Sequence, residues 1–262
     1  MDAATQITQD ISRLTTPYKD IYTTVCLVRT KQGALLFDAA SSDEDVQERI
    51  LPFLREARLE PGELRYVFIS HNHTDHAGGL RALLRHFPQL CVVSGSEALR
   101  ESCPGACFRS PQDGEMLLGV LRTVALPGHT ADSAALLDTR TGTLLSGDCL
   151  QLWGIFGSGK WGANIRFPAQ HRSAVERLQK LPIENILAAH DYHPMGHHYR
   201  GREAVQAALA HCLAPLHRIE ELIRRHPDAD DEEICALYNG QEPLPTLGAH
   251  VVTAVRGAMY GA

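Results

Sequence analysis

Three of the chain's fourteen histidines and one aspartate are packed into a single short stretch, Ser70-His71-Asn72-His73-Thr74-Asp75-His76-Ala77-Gly78-Gly79. Imidazole nitrogens and carboxylate oxygens are the ligands zinc takes at about 2.0–2.2 Å, so these residues supply most of one ligand shell and begin another. His71 and His73, two apart in extended chain, point the same way. A solvated polar loop is the bland reading of the same residues, but buried imidazoles that share no ion are hard to satisfy. Three further donors stand in similar settings: His129 in Leu126-Pro127-Gly128-His129-Thr130, Asp148 in Ser146-Gly147-Asp148, and His190 in Ala188-Ala189-His190-Asp191. Each follows or ends an apolar run that reads as a strand, where side chains can converge on a point outside the sheet.

In this order and at these separations, His71-x-His73-x-Asp75-His76, His129, Asp148 and His190 resemble the metallo-β-lactamase superfamily, over roughly residues 5 to 200. The resemblance implies an α/β fold, a four-layer αββα sandwich, holding two metal ions. It implies that His71, His73 and His129 hold the first ion, that Asp75, His76 and His190 hold the second, and that Asp148 bridges both. The β-lactamases of the superfamily lack a bridging aspartate at the position matching Asp148. Its flavodiiron proteins carry glutamate where this chain has His73. The resemblance is therefore to the glyoxalase II, lactonase and general hydrolase branches.

The cofactor so implied is two zinc ions per chain, with iron or manganese as the other metals such ligands accept. Two divalent ions sharing a carboxylate bring a water between them toward neutral pKa, giving hydroxide to attack an ester-type bond while one ion polarises the carbonyl. Asp75 is the expected catalytic residue, holding the second ion and orienting the nucleophile or shuttling its proton. A thioester, lactone or similar ester of a small molecule is the expected substrate. The main alternative is an oxidoreductase resembling the persulfide dioxygenases, with one iron. A phosphodiesterase or a β-lactamase is the weaker alternative.

Neighbouring residues invite supporting roles. His193, His197 and His198 compete with His190, which is preferred because it ends the apolar strand Ile186 to Ala189; His193 is then a substrate contact or a support, and His197 and His198 are solvated. Asp191 and Asp38 are candidates to orient a liganding imidazole, as carboxylates behind a ligand commonly do. Cys149, next to Asp148 on the opposite strand face, reads as a core thiol. Gly154-Ile155-Phe156-Gly157-Ser158-Gly159-Lys160 nearly spells a phosphate-binding loop, but Trp161 stands where Ser or Thr is needed. The stretch Leu152 to Phe167 reads instead as a mobile loop over the metals, with Trp153, Phe156 and Trp161 as an apolar wall and Lys160 facing a substrate carboxylate.

The elements that must position these groups follow from hydrophobic period. Strands are expected at Thr5 to Leu14, Tyr22 to Arg29 and Ala34 to Asp38, then a helix capped at Ser42 and carrying Val46, Ile50, Leu51 and Leu54 on one face. Strand Leu64 to Ser70, helix Ala77 to Phe87 and strand Gln89 to Ser94 make a β-α-β unit. A second meander spans Glu115 to Asp148, followed by helix Pro168 to Leu181 and a last strand, Ile183 to Ala188. From Arg202 the pattern is helical, with Val205, Leu209, Cys212, Leu213, Leu216 and Ile219 on one face and shorter helices around Ile234 and Val251. Residues 1–200 read as the metal-binding catalytic domain and 201–262 as a helical extension packed on it, whose apolar stripe would equally serve a homodimer.

Composition narrows the rest. A chain of 262 residues with 44% hydrophobic and 21% charged residues is an ordinary globular protein. Its net charge of −6, with no block of like charges, argues against nucleic acid as a partner. No apolar run approaches a membrane span, and the first ten residues have no basic and apolar leader pattern, so a cytoplasmic location is expected. Seven cysteines at irregular spacing are expected to be free buried thiols, and Cys103-Pro104-Gly105-Ala106-Cys107 reads as a plain turn rather than half of a zinc ribbon.

Overall fold

The computed structural model describes residues 4–60, 62–157, 159–240 and 244–261. It opens with strands β1 (Thr5–Gln6), β2 (Ile11–Tyr18), β3 (Ile21–Thr30) and β4 (Gly33–Phe37). Helix α1 (Asp43–Asp45), a π-helical turn (Val46–Ile50) and α2 (Leu51–Glu56) follow, then β5 (Leu64–Phe68), α3 (Thr74–Ala77), α4 (Leu80–His86), β6 (Cys91–Val93), α5 (Glu97–Ser102) and β7 (Cys107–Arg109). The second half holds β8 (Met116–Leu117), β9 (Leu121–Ala125), β10 (Ala134–Asp138), β11 (Thr143–Gly147), α6 (Pro168–Leu178), β12 (Asn185–Tyr192) and β13 (Gly196–Arg200). Helices α7 (Arg202–Arg225), α8 (Asp231–Asn239) and α9 (Ala249–Tyr260) complete it.

Among the described residues β1 to β7 form one sheet in chain order, antiparallel up to β4 and parallel beyond it. The other sheet runs β13-β12-β11-β10-β9-β8, with β11 and β12 parallel and α6 crossing between them. Alternation along the strands sorts side chains into layers. Val28, Leu35, Phe37 and Phe68 of the first sheet meet Leu121, Leu136, Leu145 and Leu187 of the second. On the outer faces, Leu27, Leu36 and Val67 pack under Ile50, Phe53, Leu80 and Leu83, while Leu137, Leu144 and Ile186 pack under Val175, Leu178, Val205 and Leu209. The result is the four-layer αββα sandwich. The end of α7 joins α8 and α9 in a separate apolar cluster with Ala163 and Ile165. No helix among the described residues is long and apolar enough to cross a membrane.

Several expectations are corrected. The helix foreseen over Ala77 to Phe87 is broken into α3 and α4, because Gly78 and Gly79 lie against the backbone of Ser41 and Ala39 so closely that any Cβ would collide. Thr5 to Leu14 is not one strand: a turn in which Ile7 and Thr8 both donate to the Ile11 carbonyl separates β1 from β2. The helix capped by Ser42, whose side chain accepts from Asp45 N, widens to π register ahead of Pro52, which has no N–H to donate. Two cysteines are not free: Cys91 and Cys107 stand opposite each other in the β6–β7 ladder and form a disulfide. The residues after Pro194, which carry the two histidines expected in solvent, form strand β13. Ser158, within the glycine-rich stretch, lies outside the described residues, as do residues 1–3.

Candidate metal centre

The strand ends deliver the donors. β5 ends at Phe68, and Ser70 and His71 leave the sheet at its carboxyl edge; His73 then precedes α3, which carries Asp75 and His76 on its first turn. His129 follows the turn after β9, and Asp148 follows β11. Gly147 holds a left-handed φ of +52°, and a Cβ there would lie 2.6 Å from the Ser70 side chain, so glycine is required to aim the next residue. His190 sits inside β12, where the pairing with β13 becomes irregular.

These seven side chains converge in two groups. His71 Nε2 and His129 Nε2 each lie 3.0 Å from His73 Nδ1. Asp75 Oδ2 lies 3.2 Å from His76 Nε2 and 3.3 Å from His190 Nε2. Asp148 stands between them: Oδ2 is 3.6 Å from His129 Nε2 and 4.0 Å from His71 Nε2, while Oδ1 is 3.2 Å from His190 Nε2 and 3.5 Å from His76 Nε2. One carboxylate oxygen thus serves each group. All but His73 are buried.

The outward nitrogens are committed elsewhere. His76 Nδ1 lies 2.8 Å from Asp38 Oδ2, His129 Nδ1 2.8 Å from the Asn164 carbonyl, His190 Nδ1 2.5 Å from the Tyr22 carbonyl, and His71 Nδ1 3.1 Å from Ser70 Oγ. With N–H groups donated to these oxygens, the inward nitrogens of His71, His73 and His129 present lone pairs to one another, while those of His76 and His190 face carboxylate oxygens. His76 Nε2 is buried without a hydrogen-bond partner. Lone pairs facing across about 3 Å repel unless a cation lies among them, so the donor set fits metal ions.

Electrostatics divides the groups in the same way. Burial lowers His71, His73 and His129, the last to about 4, so these imidazoles stay neutral donors. Burial also works against charge on the other group, but there the ionic contacts prevail: His76 is raised well above its ordinary value and His190 to about 9, while the facing imidazoles hold Asp75 and Asp148 below the usual carboxylate range. The two carboxylates therefore create a field that draws positive charge into the second group.

Beside the donors opens a cavity of about 280 Å³, walled by Tyr18, Lys19, Ile21, Ile155, Trp161 and Arg166. Of the wall foreseen in the sequence, only Trp161 is there, its Nε1 donating to Asp20 Oδ1 at 2.8 Å. Trp153 is drawn away toward the C-terminal helices, where Nε1 donates to His211 Nδ1 at 3.3 Å and the ring packs beside Tyr238. Phe156 and His193 stack on each other, centroids 3.9 Å apart, outside the cavity. Lys160 is exposed and does not line it. Asp38 reaches His76 as described, and also accepts from Ser70 N at 2.7 Å. Asp191 instead faces His197 Nδ1 at 3.7 Å, and His197, half-buried rather than solvated, meets the Tyr22 hydroxyl at 2.8 Å.

Tyr22, Ser70, Asn164, Tyr192 and Arg166 went unnoticed in the sequence. Tyr192 donates to Asp148 Oδ1 at 3.1 Å; its place two residues after His190 on the same strand face was the available signal. Tyr18 and Lys19 belong to the tight β2–β3 turn, and nothing local marks that turn as leaning over β12.

The comparisons with known proteins agree with this geometry. The sequence matches the family model of the metallo-β-lactamase superfamily over residues 19–94. It is 32% identical over 130 residues to the uncharacterized protein YobT of Bacillus subtilis (strain 168), covering 40% of this chain and 55% of that one. It is 31% identical over 157 residues to a hydroxyacylglutathione hydrolase of Synechococcus sp. (strain JA-2-3B'a(2-13)), covering 59% of each. The chain thus spans a little over half the length of these relatives. In fold it is similar to a metallo-β-lactamase family protein of Thermus thermophilus, with a TM-score of 0.69 at 19% identity, covering 98% of this chain and 96% of that one. The chain thus matches the metallo-β-lactamase superfamily model over much of its first sheet and shares the sandwich fold of such proteins.

Proposed function

We propose that the chain is a dinuclear metal-dependent hydrolase that cleaves an ester-type bond, a thioester, lactone or similar, in a small molecule. The observation that carries this reading is the placement of Asp148 with one oxygen toward each of two donor groups. His71, His73 and His129 would hold one ion, Asp75, His76 and His190 the other, and Asp148 both. Zinc is the proposed metal, two ions per chain. Bound there, the ions supply Lewis acidity toward a carbonyl oxygen and bring the pKa of water toward neutrality.

The protein's own groups do the remainder. Asp75, the proposed catalytic residue, orients the attacking water and takes part in moving its proton. Tyr192 fixes the Asp148 carboxylate through its hydroxyl. Asp38, Asn164 and Tyr22 keep the imidazoles turned so that lone pairs face inward. Ile21, Ile155 and Trp161 keep bulk water from the substrate. Relatives named hydroxyacylglutathione hydrolase support the hydrolase assignment.

Zinc-loaded protein offered thioesters, lactones, β-lactams and phosphodiesters without oxygen tests the reading. Hydrolysis of a thioester or lactone, lost together with zinc uptake in His73→Ala, is expected. Unchanged hydrolysis in that variant, or oxygen consumption by protein carrying a single iron, would overturn it.

A further inference from the structure

The cavity beside the donors has a charge pattern that the hydrolytic chemistry does not use. Its carboxylates, Asp75 and Asp148, both face imidazoles. Its cations, Lys19 and Arg166, make no ion pair among the described residues.

The backbone of each is held in place. Lys19 occupies the β2–β3 turn at φ +52°, and its Nζ lies 4.9 Å from the Tyr18 ring centroid and 5.1 Å from that of Trp161, two aromatic faces that also line the cavity. Arg166 is anchored beside a donor: its backbone N and that of Phe167 both donate to the Gly128 carbonyl at 2.9 Å, one residue before His129. Arg166 lines the same cavity as His73 and His129. A guanidinium with no protein carboxylate at the rim of a cleft is a ready partner for a planar anion, which it takes through two parallel N–H donors.

Size then restricts where that anion sits. A cavity of about 280 Å³ holds on the order of nine water-sized groups at roughly 30 Å³ each. A substrate spanning from the donors to the rim has few bonds between its reacting carbonyl and its charge.

We propose that Lys19 and Arg166 form an anion-binding rim that selects esters and thioesters carrying a carboxylate within a few bonds of the scissile carbonyl. This rests on the hydrolase reading above. Ile21, Ile155 and Trp161 enclose the short apolar link between the two ends.

Matched substrates on zinc-loaded protein test it: S-acyl mercaptoacetate against S-acyl mercaptoacetamide, and a succinate thioester against its succinamide counterpart. In at least one pair the wild type is expected to favour the acidic member by about tenfold or more in kcat/KM, the scale of one charge-assisted contact. Arg166→Gln should bring that ratio close to unity through KM, and Lys19→Met should lower it by a smaller factor. Equal use of both members of each pair by the wild type, or a ratio unmoved in Arg166→Gln, overturns the proposal. Should no pair be hydrolysed, the screen of thioesters and lactones above decides the hydrolase reading, and calorimetric binding of non-hydrolysable analogues, with an amide in place of the thioester, decides the rim separately. Tighter binding of the acidic analogue, lost in Arg166→Gln, upholds it; equal binding overturns it.

Discussion

Replacing Asp38 by asparagine changes one atom in the wall behind the second donor group. Asp38 is fully buried, accepts from Ser70 N at 2.7 Å through Oδ1, and meets Ser70 Oγ at 3.0 Å and His76 Nδ1 at 2.8 Å through Oδ2. An asparagine in this pose puts an NH2 against the His76 N–H. Flipping the amide moves the same donor–donor conflict to the Ser70 N–H. His76 escapes only by carrying its proton on Nε2, which points at Asp75 and Asp148 and then cannot bind an ion. Losing a carboxylate behind a liganding imidazole typically weakens metal binding by about 10- to 100-fold, or about 1.4–2.8 kcal/mol. The first group meets Asp38 only through Ser70, while Asn164 holds His129 independently, so it loses less affinity. Zinc titration with a competing chelator should show one tight and one weakened site in Asp38→Asn, with the metal-free variant still melting cooperatively. Two wild-type affinities, or equal weakening of both, would refute the reasoning.

Two further predictions concern the scaffold. His171 is buried, its Nε2–H donates to the Cys212 carbonyl at 2.9 Å, and burial holds it down to about 4. As pH falls through about 6.5 the unfolded chain takes the proton first, so stability declines until about pH 4, by roughly 3 kcal/mol in all. Urea melts of wild type and His171→Gln at pH 7 and 4.5 should differ in this slope; parallel losses would remove His171 as its source. With Cys91 and Cys107 joined, denatured but unreduced protein should titrate five thiols, from Cys26, Cys103, Cys149, Cys212 and Cys235. Seven thiols would deny the bond. Its reduction should cost about 3 kcal/mol, the scale for closing a loop of this 16-residue separation.

What the sequence made legible is what local chemistry dictates. His71, His129 and Asp148 could be read because each follows an apolar strand, and beyond a strand end the side chain's destination is the sheet edge, whereas His190 lies inside β12. The helix capped at Ser42 and the stripe of α7 could be read because cap and period are local signals. The cavity wall could not. Trp153 and Trp161 lie eight residues apart on one loop and look equivalent, yet one packs beside Tyr238 and the other beside Asp20. Which way each turns depends on how α8 and the β2–β3 turn close around that loop, and such contacts leave no trace in periodicity. Likewise β6 and β7 are three residues each, too short for alternation to show, so the pairing that sets Cys91 opposite Cys107 was invisible. His197 reads as solvated because β13 carries three polar residues in five and shows no apolar alternation.

Counting the ions held by the purified chain tests the central claim most directly. Protein equilibrated with zinc, freed of excess by dialysis and analysed by mass spectrometry of the elements should carry two ions per wild-type chain, since Asp148 turns one oxygen toward each donor group. A wild-type chain that retains one ion or none under those conditions contradicts the dinuclear account.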